Sequence, residues 1–199
     1  MIKRLILSLF LTSGLVLSSQ GQTDKQNLIS INDSVKIKNT IEGFYSWYGE
    51  IIKRNRLSKE FSPAFIKDKD GMTSLDFTQY KERLTRHNFT DDFIKRRMHD
   101  YNACLENLKT IPYETFLTYQ DQDQLKKMDC DLASVYPWAK SIDSPDGAEL
   151  LELYKLNKNT VEGKVRFFTK TPDGVKQYWG SATLTLIKFK VGWEINDIK

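Results

Sequence analysis

The stretch FYSWYGEIIKRNR, residues 44–56, decides how the N-terminal half of the chain is read. It places four aromatic side chains within five positions and then turns basic. Neighbouring residues on a helix point about 100° apart, so these four cannot share one face. The wider pattern sorts them. Ile37, Ile41, Phe44, Tyr48 and Ile51 recur at intervals of three and four, which is the stripe of an amphipathic helix. Tyr45 and Ile52 widen the stripe, and Trp47 lies at its edge. Glu42, Ser46, Glu50 and Lys53 fall elsewhere. The basic run Lys53, Arg54, Asn55, Arg56 suits the negative end of a helix and reads as a solvated face.

The chain has 199 residues, 40% of them hydrophobic and 12% aromatic, enough for one domain with a real core. Residues 1–21 read as a secretory signal peptide: Lys3 and Arg4, then a short apolar run from Leu5 to Leu17, then small residues, with Ser19 and Gly21 placing the cut before Gln22. The run is shorter than the roughly 20 apolar residues a membrane span needs. No cysteine lies near the cut, so no lipid anchor is expected there, and no later segment is apolar enough to cross a bilayer. The expected location is therefore the periplasm or the exterior. Without Lys3 and Arg4 the balance is 28 basic to 26 acidic residues, a net +2, which does not point to nucleic acid as a partner. Cys104 and Cys130 are 26 positions apart. In an oxidising compartment an even count favours a disulfide over two buried free thiols.

Residues 22–36 are polar and weakly patterned and read as a flexible lead-in, with a single α+β domain over 37–199. Ser62-Pro63 is a helix-start signal, so Phe65 and Ile66 are expected on a short helix, followed by a turn at Asp70-Gly71. A second helix is expected over SLDFTQYKERL, and a third over residues 88–111, capped by Thr90 and striped by Ile94, Met98, Tyr101, Leu105 and Leu108. Residues 113–147 fit strand or loop. ELLELYKL reads as a strand, with helix as the alternative. Val161, Val165 and Phe167 share a parity against Glu162, Lys164 and Arg166, the mark of a half-buried antiparallel strand. Thr171-Pro172-Asp173-Gly174 is a tight turn. The next strand bends at Gly180 and changes apolar parity between Leu186 and Ile187, which predicts a bulge or a change of covering layer. WEINDI closes the sheet. Helices first and an antiparallel meander last read as α+β, with helices on one face of a curved sheet.

The order and its end motifs carry a resemblance. Phe44-Tyr45-Ser46-Trp47-Tyr48 resembles the FYxWY opening of a family of uncharacterised exported bacterial proteins. Ser62-Pro63-Ala64-Phe65-Ile66 is similar to that family's next short helix, and Trp193-Glu194-Ile195-Asn196-Asp197-Ile198 to its closing WxIxxI strand. The resemblance runs over roughly residues 37–199. It implies a nuclear-transport-factor-2-like, or cystatin-like, cone in which the first helix lies in the concave side of a strongly bent antiparallel sheet. It implies no chemistry.

Candidate ligand-binding residues are Tyr45 and Trp47 on the first helix, Trp138, and Tyr178 and Trp179 on the bent strand. Together they could line an apolar cavity with hydroxyl and indole donors. The plainer reading is core packing. His87 and His99 are too few and too separated for a metal set, and adjacent His99 and Asp100 cannot act as a dyad on a helix. Asp121 and Asp123 lack the glycine turn of a calcium loop. The basic run Lys95-Arg96-Arg97 reads as solvated. No nucleophile elbow, phosphate loop or zinc signature is present, and no catalytic residue or cofactor is expected. The leading expectation is an exported, non-catalytic binding protein that takes a small apolar ligand or an envelope protein partner. The alternatives are a periplasmic inhibitor or immunity protein, and a cavity acid–base enzyme.

Overall fold

A computed structural model of the chain describes residues 29–54, 60–119, 122–130, 138–139 and 144–199. The signal-peptide reading of 1–21, and Asn55, Arg56 and Asp121, lie outside the described residues.

Helix α1 (Ile31–Lys53) buries the face its spacing predicts: Ile37, Ile41, Phe44, Tyr45, Tyr48, Ile51 and Ile52. It starts at Ile31, within the segment read as a lead-in over 22–36. Ser30 caps it, accepting from the Asp33 N–H at 3.1 Å. The Asp33 carboxylate accepts from Trp193 Nε1 at 3.0 Å and from Lys188 Nζ at 2.8 Å, tying the first turn to the far end of the sheet. Those contacts are polar, so hydrophobic periodicity carried no trace of them.

Strands β3 (Gly147–Lys155), β4 (Thr160–Lys170), β5 (Lys176–Lys188) and β6 (Trp193–Ile198) form a curved antiparallel meander in the order β3-β4-β5-β6, with α1 packed across it against β3 and β6. ELLELYKL is thus strand. The Thr171–Gly174 turn is present: the Gly174 N–H bonds to the Thr171 carbonyl at 2.8 Å, and Gly174 sits at φ +84°, where a side chain would be strained. Opposite Phe167, β5 carries one extra residue at Trp179-Gly180, which is the predicted bend. The β5–β6 register slips between Thr185 and Leu186, with the extra residue, Asn196, on β6; β5 itself keeps its alternation, so no bulge falls in it between Leu186 and Ile187. Leu184 and Leu186 are fully buried under α1, while Ile187 and Phe189 face outward. Gly49 lets α1 approach the chain ahead of β3, because a Cβ there would come within 2.4 Å of the Pro145 carbonyl oxygen.

The segment between helix and sheet departs from expectation at two points. Ser62-Pro63 leads into a strand. β1 (Ala64–Lys67) pairs antiparallel with β2 (Thr73–Asp76) around the Asp70-Gly71 turn, which displaces both the short helix and the start of the next one. The reason is tertiary: Phe65 packs on Phe116, with ring centroids 4.6 Å apart. Helix α2 (Thr78–Arg86) follows. The single helix expected over 88–111 is two, α3 (Asp91–His99), capped by Thr90, and α4 (Asn102–Leu108). The Tyr101 N–H turns tightly onto the Met98 carbonyl at 3.2 Å, and the break lets both Tyr101 and Cys104 reach the core. Two further short helices, α5 (Tyr113–Phe116) and α6 (Gln122–Lys127), occupy part of the region read as strand or loop. The disulfide joins Cys104 of α4 to Cys130 beyond α6, with Cα atoms 4.8 Å apart.

Candidate functional site

The structure distributes the candidate aromatics over four places. Tyr45 and Trp138 are core residues, 0% and 4% exposed. The Tyr45 hydroxyl donates to the Trp138 carbonyl at 2.9 Å, and burial drives its pKa well above the ordinary phenol value. The Trp138 ring meets Phe44, Tyr48, Phe61, Phe89 and Phe93 at centroid distances of 4.4 to 6.4 Å. Trp179 leans on Phe167, at 5.3 Å, from the bulge of β5, with its indole nitrogen buried and unpartnered. Trp47, half-buried, stacks on His87 with centroids 3.3 Å apart. Tyr178 is on the surface, 40% exposed.

Tyr178 belongs to the polar group that does converge. An open cleft of about 580 Å³ runs between the exposed side of α1 and the β3 edge, lined by Lys38, Glu42 and Ser46 from the helix and by residues 146–150, Phe168, Lys170 and Lys176 from the sheet. Lys38, Glu42 and Ser46 are four residues apart and so share one face of α1. The hairpin closing at Gly174 brings Lys170 opposite Lys176.

Each carboxylate lining the cleft is held by the protein itself. Glu42 Oε1 accepts from the Leu150 N–H at 3.1 Å. Asp146 pairs with Lys53 at 2.6 Å and accepts from the Lys170 N–H. Partial burial pushes the Asp146 carboxyl up, but the Lys53 hydrogen bond and the Lys170 N–H outweigh it and leave the pKa below the usual value. Glu149 takes one proton donor on each oxygen, Lys176 Nζ and the Tyr178 hydroxyl, the latter at 2.7 Å, and both hold its pKa down. The Arg166 guanidinium lies 3.6 Å from the centre of the Tyr178 ring, and the Lys176 ammonium 4.4 Å from that of Phe168. By contrast, among the described residues Lys38 and Lys170 form no ion pair and the Ser46 hydroxyl makes no hydrogen bond.

A second depression, of about 670 Å³, is lined by Thr78, Lys81, Glu82, Thr85 and Arg86 of α2 alone. Its polar groups serve each other: Arg86 bonds Glu82, and the Thr85 hydroxyl donates to the Lys81 carbonyl. The basic runs are similarly occupied, Lys53 by Asp146, Arg54 by Glu50, Arg97 by Asp100 and Arg96 by the Asn196 carbonyl. His99 is exposed at the end of α3, and Asp123 is exposed and paired with Lys126. Burial beside Trp47, reinforced by the Arg86 charge and opposed by Glu60, lowers the His87 pKa to about 4. No His, Cys, Asp or Glu cluster with metal-ligand geometry occurs among the described residues. No described helix is long and apolar enough to cross a membrane.

Sequence reasoning missed Lys38, Asp146, Glu149, Lys170 and Lys176. They come from separate segments, and only the turn dipeptide Asp146-Gly147 marked any of them. No family model matches the chain, and no curated protein or solved structure matches it either.

Proposed function

We propose that the protein is an exported, non-catalytic binding module that meets its partner at the surface, on the polar cleft between α1 and the β3 edge. The observation that carries this reading is the contrast between Tyr45 and that cleft. Tyr45, the central candidate for an internal ligand site, is fully buried with its hydroxyl already bonded, whereas the cleft offers open space and unused donors. A surface of charged and aromatic groups suits a polar macromolecular partner better than a small apolar ligand. The Cys104–Cys130 disulfide supports an oxidising compartment, and with it the signal-peptide reading of residues 1–21. The α+β arrangement, with its first helix across a curved sheet, supports kinship with the nuclear-transport-factor-2-like cone family. That family's architecture fixes a scaffold and leaves the binding chemistry to the particular chain.

The test is site-specific photo-crosslinking in the envelope of a producing cell. A crosslinker at Ser46, inside the cleft, is expected to give a discrete protein adduct. One at Lys164, exposed on the opposite face of the sheet, is expected to give none. Native mass spectrometry of the same protein would overturn the proposal if it showed a retained apolar small molecule. Equal crosslinking from both positions would overturn it as well.

A further inference from the structure

The cleft also indicates the charge of what it binds. Each of its carboxylates is engaged: Glu42 through one oxygen on the Leu150 N–H, Asp146 on Lys53 and the Lys170 N–H, Glu149 on Lys176 and Tyr178. The side chains with no partner among the described residues all carry donors, namely the Lys38 and Lys170 ammoniums and the Ser46 hydroxyl. Lys38 lies one helical turn before Glu42, the spacing of an intrahelical ion pair, yet Glu42 turns instead to the β3 backbone and leaves Lys38 unpaired. On the other wall, Asp146 draws its ion-pair partner from Lys53 of α1, so the Lys170 ammonium, unlike the Lys170 N–H, acts on it only through its longer-range field. A cation would meet two uncompensated ammoniums here, against one open oxygen of Glu42 and the Ser46 hydroxyl. An oxyanion would meet both charges and a hydroxyl, with Asp146 and Glu149 each paired to a lysine and Glu42 turned to the β3 backbone.

We propose that this cleft is an oxyanion subsite, in which Lys38, Lys170 and Ser46 together hold a carboxylate or phosphate group of the bound partner. The inference rests on the reading of the cleft as the binding surface and names the chemistry it selects. Lys176 and Lys53 take no direct part, because each is engaged by a carboxylate of the wall. The Glu149 pair instead keeps Lys176 from competing for the anion, and Arg166 stacked on Tyr178 stiffens that side.

The experiment is calorimetric titration of the disulfide-intact full chain with three probes: an acetylated tri-glutamate peptide, inorganic phosphate and an acetylated tri-lysine peptide. The glutamate peptide is expected to bind, and to weaken steeply as ionic strength rises from about 0.01 M to about 1 M and the screening length falls. The lysine peptide is expected to give no signal. A Lys38→Ala/Lys170→Ala variant is expected to lose about tenfold or more in affinity, with a smaller loss for Ser46→Ala. All three positions are exposed, and circular dichroism of the variants checks that the fold is kept. Phosphate binding as tightly as the peptide would place the recognition in the anion alone. Tighter peptide binding would place it in a partner's acidic side chains. Binding of neither oxyanion, or undiminished binding by the double variant, overturns the inference. In that event a Ser46-specific crosslink would still leave the surface-binding reading standing, and its absence would remove both.

Discussion

Two regions of this molecule are built in different ways. Under α1 the sheet face is sealed by large apolar side chains: Ile37, Ile41, Tyr45, Tyr48, Val165, Phe167, Leu184, Leu186 and Ile195 are all fully buried. Its elements are long, a 23-residue helix over strands of up to 13 residues. The annex of β1, β2 and α2 to α6 uses helices of nine residues or fewer, below the length at which helices persist on their own. It relies on caps, a two-stranded ribbon and a covalent cross-link. Long periodic elements can be stabilised by burial; short ones here are held by point attachments. The annex also grips the sheet through its backbone: the Thr90 N–H donates to the Ile195 carbonyl at 2.9 Å, and the Thr90 hydroxyl to Asn196 at 2.9 Å.

The largest expected effect tests the first region. Phe44 touches Tyr45, Tyr48, Phe89 and Trp138, and so spans helix, annex and loop. Phe44→Ala is expected to cost about 3–5 kcal/mol through lost burial and the cavity it leaves. Urea denaturation is expected to show one cooperative transition at lower midpoint with an unchanged slope. A second transition would mean that the annex unfolds by itself.

Removing the disulfide tests the second region. A Cys104→Ala/Cys130→Ala variant is expected to lose roughly 3 kcal/mol, the loop-closure contribution for a separation of 26 residues. The loss should be local in hydrogen exchange, with α4 and α6 amides deprotected while those of β4 and β5 keep most of their protection. Uniform deprotection would erase the distinction between the regions.

The smallest effect lies at the seam, where His87 of the annex stacks on Trp47 of α1. The folded pKa of His87 falls from its ordinary value of 6.5 to about 4, so the native state favours the neutral ring. Between those values the unfolded chain binds the proton more readily. The contribution is therefore complete above pH 6.5 and is lost as pH falls toward about 4. His87→Gln is expected to flatten the melting-temperature profile across that window and to change little at neutral pH. An unaltered profile would mean that the stack is not coupled to folding.

Much of the first region was legible in the sequence. The three-and-four spacing of Ile37 to Ile51 and the alternation of Val161 to Phe167 are local patterns imposed by the geometry of helix and strand. The Gly174 turn and the bend at Gly180 announce themselves by residue type. The annex was less legible because its structure is set by distant contacts. Nothing near Pro63 shows that Phe65 will meet Phe116, and no glycine or proline marks the break at Tyr101. The aromatics of the candidate site stood out because they are conspicuous residues, and two of the five, Tyr45 and Trp138, became core. The cleft did not stand out, since lysine and glutamate are common anywhere on a surface and only the folded chain gathers these ones.

The hydrogen bond from the Leu150 N–H to Glu42 reaches beyond the single chain. β3 is the rim of the sheet, and a rim of unpaired amides is a template on which another molecule's strand can add. Here one amide is already taken and a carboxylate stands beside it, and the bulge at Leu151 throws the following residues out of register. A second copy approaching side by side meets a missing donor, a like charge and a kink. The side chain that fastens helix to sheet thereby also discourages the protein from polymerising with itself.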